Sequence, residues 1–226
     1  MIEKVREKVK EILEKDNSGH GMDHIERVLH LSLRFAEKEN ADKNLTALIA
    51  LLHDVDDYKL FGKENAANLT NAKKIMNECN VDENTQKSVC AALHKIGFSK
   101  RLGGDKPESL EGKIVSDADM CDAIGANGLL RAHKYSTKHG AKFFDKNIFP
   151  IESVNAKSYT TQPTSTSVCH VFEKLLKLKN LMLTTESGKN EAESRHNIIV
   201  EFLRHLFDEE NAPEWQNYLD NYLKNL

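Results

Sequence analysis

The chain has 226 residues, 39% of them apolar and 30% charged, with a formal net charge of −3. That balance belongs to a folded globular protein long enough to bury a sizeable core. The charge is too small, and its two signs too interspersed, for a nucleic-acid or membrane surface, and no apolar run is long enough to span a bilayer.

Met1 to Lys15 is charged and amphipathic, unlike a signal peptide, so a cytoplasmic protein is expected. Ile2, Val5, Val9, Ile12 and Leu13 recur at helical spacing and mark a first helix that stops before Asn17-Ser18-Gly19. A second helix starts near Met22 and carries His24, Val28, Leu31 and Phe35 on one face. The third runs from about Asp42 into His53-Asp54, with Leu45, Leu48, Ile49 and Leu52 in one buried stripe. Asp56-Asp57-Tyr58-Lys59 reads as a polar turn. Asn65 to Cys79 and Val81 to Ile96 return to helix, and Gly97 to Pro107 is a basic, glycine-containing loop. Pro107 suits the first turn of the next helix, which Leu110, Ile114, Ala118 and Cys121 continue toward Ile124. From Ser136 to Ser167 the pattern breaks down around Pro150, Pro163 and a Ser/Thr-rich tract. A connection this long is either an active-site lid or a surface excursion. Helix resumes through Val168, Val171, Leu175, Leu178 and Met182, breaks near Gly188, and resumes with Ala192, Ile199, Leu203 and Leu206. Pro213 opens a final helix whose Trp215, Tyr218 and Tyr222 either cover the core or pair with a second copy in a homodimer. Cys79, Cys90, Cys121 and Cys169 lack CxxC spacing and lie in apolar-periodic segments, as reduced core thiols do. Nothing alternates as a strand, so the expectation is all-α: a single helical domain over residues 1–226 with an irregular loop near 136–167.

The chemistry gathers where the third helix ends. Burying His53 beside an ionised Asp54 costs several kcal/mol unless something compensates, and a divalent cation does so well. The plainer alternative is a helix ending in a polar pair. His24 lies on the apolar face of its helix, as a ligand or as a core histidine. Asp117, Asp119 and Asp122 crowd into six positions of an apolar helix, where a cation would relieve their repulsion unless Asp117 and Asp122 face solvent. Together His24, His53, Asp54 and Asp119 offer two imidazoles and two carboxylates from three helices. That mixed N/O set suits one divalent ion, Mn²⁺ foremost, with Mg²⁺, Ni²⁺, Co²⁺, Fe²⁺ and Zn²⁺ compatible. On a six-coordinate ion it leaves two positions for water and a substrate oxygen, which is what hydrolysis requires.

The order His24, His53-Asp54, Asp119 resembles the H…HD…D pattern of the HD superfamily of metal-dependent phosphohydrolases. One bacterial branch is similar well beyond the ligands. Ser18-Gly19-His20-Gly21-Met22-Asp23-His24 through Arg27-Val28 resembles its opening motif, and Leu51-Leu52-His53-Asp54-Val55-Asp56-Asp57-Tyr58-Lys59 its central one. Leu110-Glu111-Gly112-Lys113-Ile114-Val115, Asp117-Ala118-Asp119 and Asp122-Ala123-Ile124-Gly125-Ala126 resemble the third. His170-Val171-Phe172-Glu173-Lys174-Leu175-Leu176-Lys177-Leu178-Lys179 is similar to a C-terminal helix of the branch. The likeness covers most of positions 18–208. It departs at Met120-Cys121, where the branch carries a basic and then an apolar residue, and around Phe143 to Ser167, which does not align.

The resemblance implies an HD helical bundle, its core over about 18–135 with C-terminal helices 168–226 packed on it. It implies one divalent metal on the four ligands and hydrolysis of nucleoside or deoxynucleoside triphosphates to the monophosphate and pyrophosphate. In that mechanism Asp54 holds the ion, and Asp57 either orients and deprotonates the attacking water or forms a turn. Arg27, Lys59, Arg131 and Lys174 are candidates for the polyphosphate, against the alternative of surface charges. His94 and His170 are candidate substrate contacts, or an extra ligand and a helix-capping histidine. Competing readings are a 5′-nucleotidase, a cyclic-nucleotide phosphodiesterase, a non-catalytic nucleotide- or metal-sensing module, and a two-iron oxygenase that would need further histidines.

Overall fold

The computed structural model describes residues 1–14, 21–151, 166–181 and 183–226. Ser18-Gly19-His20 of the opening motif, Met182, and residues 152–165 with Pro163 and the Ser/Thr-rich tract lie outside the described residues. The described residues are helical, with no strand and one isolated bridge between Lys142 and Thr166. Among them no helix is long and apolar enough to cross a membrane. Contacts divide the chain into two compact units, Met1–Met120 with Thr184–Gly188, and Cys121–Leu183 with Lys189–Leu226.

The first unit is built around α3. Helices α1 (Ile2–Leu13) and α2 (Met22–Glu39) precede it, and α3 itself spans Lys43–Leu52. Asp42 starts α3 by accepting from the Asn44 and Leu45 amides, two of the donors a helix start leaves unpaired. Every residue from Thr46 to Leu52 is buried. The expected single stripe is therefore the whole circumference, because α1, α2 and α6 (Glu83–Leu93) all pack on α3.

Where one helix was expected over Asn65 to Cys79, there are two, α4 (Tyr58–Asn68) and α5 (Thr70–Glu78), parted by Leu69 in the left-handed region at φ 52°. A remote carboxylate favours the break: Asp56, 6% exposed, accepts from the Asn71 and Ala72 amides at 2.9 Å each and caps α5. The basic loop holds a short helix, α7 (Phe98–Leu102). Helix α8 (Leu110–Asp122) starts after Ser109, whose hydroxyl takes the Gly112 amide. Pro107 lies ahead of that helix rather than in its first turn.

The second unit contains α9 (Gly125–Lys138), α10 (Ser167–His170), a π-helical segment (Val171–Leu175) and α11 (Leu176–Leu181). Helices α12 (Glu186–Glu209) and α13 (Pro213–Lys224) follow. Its core is aromatic: Trp215, fully buried, lies among Phe144, Phe149, Phe172, Phe207 and Tyr218. Trp215 Nε1 donates to the Lys146 carbonyl at 3.0 Å and the Tyr222 hydroxyl to the Phe172 carbonyl at 2.6 Å. The C-terminal aromatics thus line this core. Gly188 does not break helix, because α12 has already begun at Glu186. The interruption falls just before it, at Leu183 to Thr185.

Candidate metal centre

Three helices of the first unit deliver its ligand-type side chains. His24 sits in the first turn of α2, whose N-cap is Gly21, and its buried neighbours Ile25 and Val28 turn that face inward. His53 is the C-cap of α3, where its Nδ1 lies 2.7 Å from the Ala50 carbonyl. A carbonyl only accepts, so this contact assigns the ring proton to Nδ1 and leaves the Nε2 lone pair facing inward. Asp54 follows directly, and Asp119 comes from α8.

His24 Nε2 lies 3.1 Å from His53 Nε2, 3.4 Å from Asp54 Oδ2 and 3.5 Å from Asp119 Oδ1. His53 Nε2 is 3.7 Å from Asp54 Oδ2. The rings meet edge to face, their centroids 5.1 Å apart. The four side chains are 3%, 1%, 13% and 18% exposed in chain order. His24, His53 and Asp119 each offer an atom within 4.8 Å of the other two. Adjacent ligands on bonds of about 2.1 Å stand about 3.0 Å apart around an octahedral ion and about 3.4 Å around a tetrahedral one. The observed spacings are of that size. Imidazole and carboxylate donors gathered so closely, with little water to screen them, fit a divalent ion.

The segment after Asp54 is fixed from both sides. The Asp57 amide donates to the Asp54 carbonyl at 3.1 Å, Asn71 Nδ2 to the Val55 carbonyl at 2.8 Å, and Asp56 caps α5. Asp57 is the N-cap of α4, with Oδ1 taking the Lys59 amide at 2.9 Å. Lys59 is exposed, its Nζ 5.8 Å from the Tyr58 ring centroid. Arg27 is half-buried on α2. His94 caps the end of α6, and burial, then Lys100 and Lys73, hold its pKa below the usual imidazole value.

The remaining sequence candidates belong to the second unit. Arg131 donates to Asp122 at 3.1 Å. Burial, then Lys174, pushes the His170 pKa down to about 4, so the ring is neutral at pH 7. Lys174 is half-buried in the π-helical segment. Met120, at the position of the branch's basic residue, is buried at 4% exposure.

Asp117 and Asp122 do not face solvent: they are 0% and 1% exposed. Their charges are met by separate protein donors, Thr184 and Thr185 for Asp117 and Arg131 for Asp122. Burial raises the Asp117 pKa, and the threonine hydrogen bonds work against that rise. Sequence reasoning also passed over Lys100 in the basic loop. Its Nζ donates to the Leu93 carbonyl at 3.1 Å, and burial depresses its pKa while Asp105 and Asp57 oppose that. The basic composition of the loop was the available signal.

The HD domain family matches residues 21–124. The chain is 31% identical over 208 residues to the uncharacterized protein YpgQ of Bacillus subtilis, covering 90% of this chain and 91% of that protein. YpgQ has been solved in complex with ADP, with a TM-score of 0.67 over 92% of this chain and 94% of that one at 26% identity. A Lactobacillus plantarum structure superposes with a TM-score of 0.76 at 37% identity, covering 93% of this chain and 97% of its own. An HD-superfamily hydrolase from Bacillus thuringiensis gives 0.73 at 34% identity, with the same coverage of 93% and 97%.

Proposed function

Since the chain belongs to the HD-domain family and is a metal-dependent phosphohydrolase, we propose that its substrate is a nucleoside or deoxynucleoside triphosphate, cleaved to the monophosphate and pyrophosphate. The observation that carries this reading is the convergence of His24, His53, Asp54 and Asp119 at 3.1 to 3.7 Å. These four are the proposed ligands of one divalent ion, Mn²⁺ foremost. When bound, the ion supplies Lewis acidity, making a nearby water a better nucleophile and the phosphorus a better electrophile. The ADP complex of YpgQ supports a nucleotide as the guest.

The chain's own residues do the rest. The Ala50 carbonyl orients His53 so that Nε2 points inward. Asp57 has Oδ1 committed to the Lys59 amide, and its Oδ2 accepts the proton of the attacking water. Arg27, Lys59 and His94 stand on elements adjoining the ligands and stabilise the departing pyrophosphate. Lys100 joins them: among the described residues its ammonium has a carbonyl partner and no ion pair, leaving two protons for phosphate oxygens.

The test is turnover of a nucleotide panel by purified protein with Mn²⁺, scoring pyrophosphate against orthophosphate. Pyrophosphate from triphosphates is expected. Orthophosphate from monophosphates would replace the reading with a 5′-nucleotidase, and opening of cyclic nucleotides with a phosphodiesterase. Mn²⁺ binding without turnover of any nucleotide would favour a sensing module and overturn the proposal.

A further inference from the structure

Asp117 is a fully buried carboxylate two residues before Asp119 that does not belong to the ligand cluster. Two positions on a helix are about 200° apart, so the two carboxylates leave α8 on nearly opposite faces. On its own face Asp117 meets a dense set of donors. The Thr184 amide lies 2.9 Å and the Thr185 amide 2.6 Å from Oδ2. The Thr185 hydroxyl is 2.8 Å from Oδ2 and the Thr184 hydroxyl 3.1 Å from Oδ1. Arg101, only 7% exposed, adds a guanidinium nitrogen at 3.7 Å. The fit is close: a Cβ on Gly188 would come within 2.6 Å of Oδ2, so only glycine lets the segment 184–188 approach.

The same short segment is tied to the helix of His24. The Ser187 amide donates to Glu39 Oε1 at 2.8 Å, and Glu39 is the last residue of α2. Residues 184–188 therefore hold α8 through Asp117 and α2 through Glu39, the two helices whose His24 and Asp119 stand 3.5 Å apart.

We infer that Asp117 is a positioning residue: anchored on Thr184 and Thr185, it sets the rotation of α8 and so the place of Asp119 in the metal centre. The inference rests on the proposed metal site. A side chain pinned on the far face stops the helix from rolling, and a roll of a few degrees moves a carboxylate oxygen by several tenths of an ångström. Ligand geometry tolerates displacements of only about 0.5 Å.

The experiment measures Mn²⁺ affinity by titration calorimetry and, separately, the thermal midpoint in chelator, for wild type, Asp117→Asn, Thr185→Val and Gly188→Ala. Asp117→Asn sets an amide NH₂ against donors and should weaken Mn²⁺ binding roughly 10- to 100-fold, the scale found for groups that orient metal ligands. Thr185→Val keeps volume and loses one donor, and Gly188→Ala displaces the carboxylate without removing it. Both should weaken binding in the same direction by less. Tyr222→Phe in the second unit should lower the midpoint and leave Mn²⁺ affinity unchanged. A lowered midpoint with wild-type affinity in all folded variants of the anchor would overturn the inference and leave the metal reading standing. Should Asp117→Asn fail to fold, Thr185→Val decides by the same criterion. A wild-type chain that binds no Mn²⁺ would overturn both.

Discussion

The first unit buries aliphatic side chains such as Val5, Val9, Ile25, Leu48 and Leu51, all 0% exposed, and brings two imidazoles and two carboxylates together. Those four polar groups face one another at spacings that suit a divalent ion. The second unit buries Trp215, Phe172 and Phe207 instead, and the polar tips of Trp215 and Tyr222 each end on a backbone carbonyl. Burial in the second unit stabilises the native state, whereas at the cluster of the first unit, on the proposed reading, it prepares a site at some cost to stability. The two should therefore respond to substitution in opposite ways.

The sharpest way to break that contrast is to remove a proposed ligand. His53→Ala and Asp54→Ala should each lower nucleotide turnover by at least about 10³-fold and abolish metal binding while circular dichroism stays helical. An unfolded variant would show that the ligand cluster is structural after all. Trp215→Ala should do the reverse, costing about 3–5 kcal/mol in denaturant unfolding, with metal affinity retained by the fraction still folded.

His170 sharpens the comparison through pH. Its folded pKa of about 4 lies below the unfolded value, so between those two values the unfolded chain holds a proton that the native ring lacks. Stability is complete above about pH 6.5 and falls as the pH drops toward 4, by up to about 3 kcal/mol. Melting His170→Asn beside wild type across this range should show a flatter acid limb in the variant. Metal supplies a comparable but separable effect. Mn²⁺ at about 100 times its Kd should stabilise wild type by about 2.7 kcal/mol and His53→Ala not at all. The smallest effect is Tyr222→Phe, about 1 kcal/mol for one lost hydrogen bond in calorimetry.

The convergence of His24, His53, Asp54 and Asp119 is legible because each of the four carries a local signature. His24 and Asp119 sit in helical patterns whose apolar neighbours aim them inward, and His53-Asp54 closes a helix buried from Thr46 to Leu52. The all-helical class followed from the same periodicity. Partners far along the chain were not legible. Nothing near Asp56 marks it as the cap of a helix beginning at Thr70, and nothing near Asp117 announces donors 67 and 68 residues on. A carboxylate in an apolar helix reads alike whether a cation or protein donors satisfy it, so the local pattern does not decide between the two for Asp117 and Asp122. Gly188 reads as a helix breaker because flexibility is the commoner use of glycine. Here its missing side chain makes room for Asp117.

Residues 184–188 complete the first unit although they follow it by more than sixty positions. A ribosome that has delivered α8 and Arg101 has not yet delivered the two threonines whose amides and hydroxyls surround its buried acid, so Asp117 gains those donors only after the intervening chain. The first unit is therefore not completed by its N-terminal sequence alone: residues 184–188 close a long loop onto it, at an entropic cost that grows only logarithmically with the loop's length.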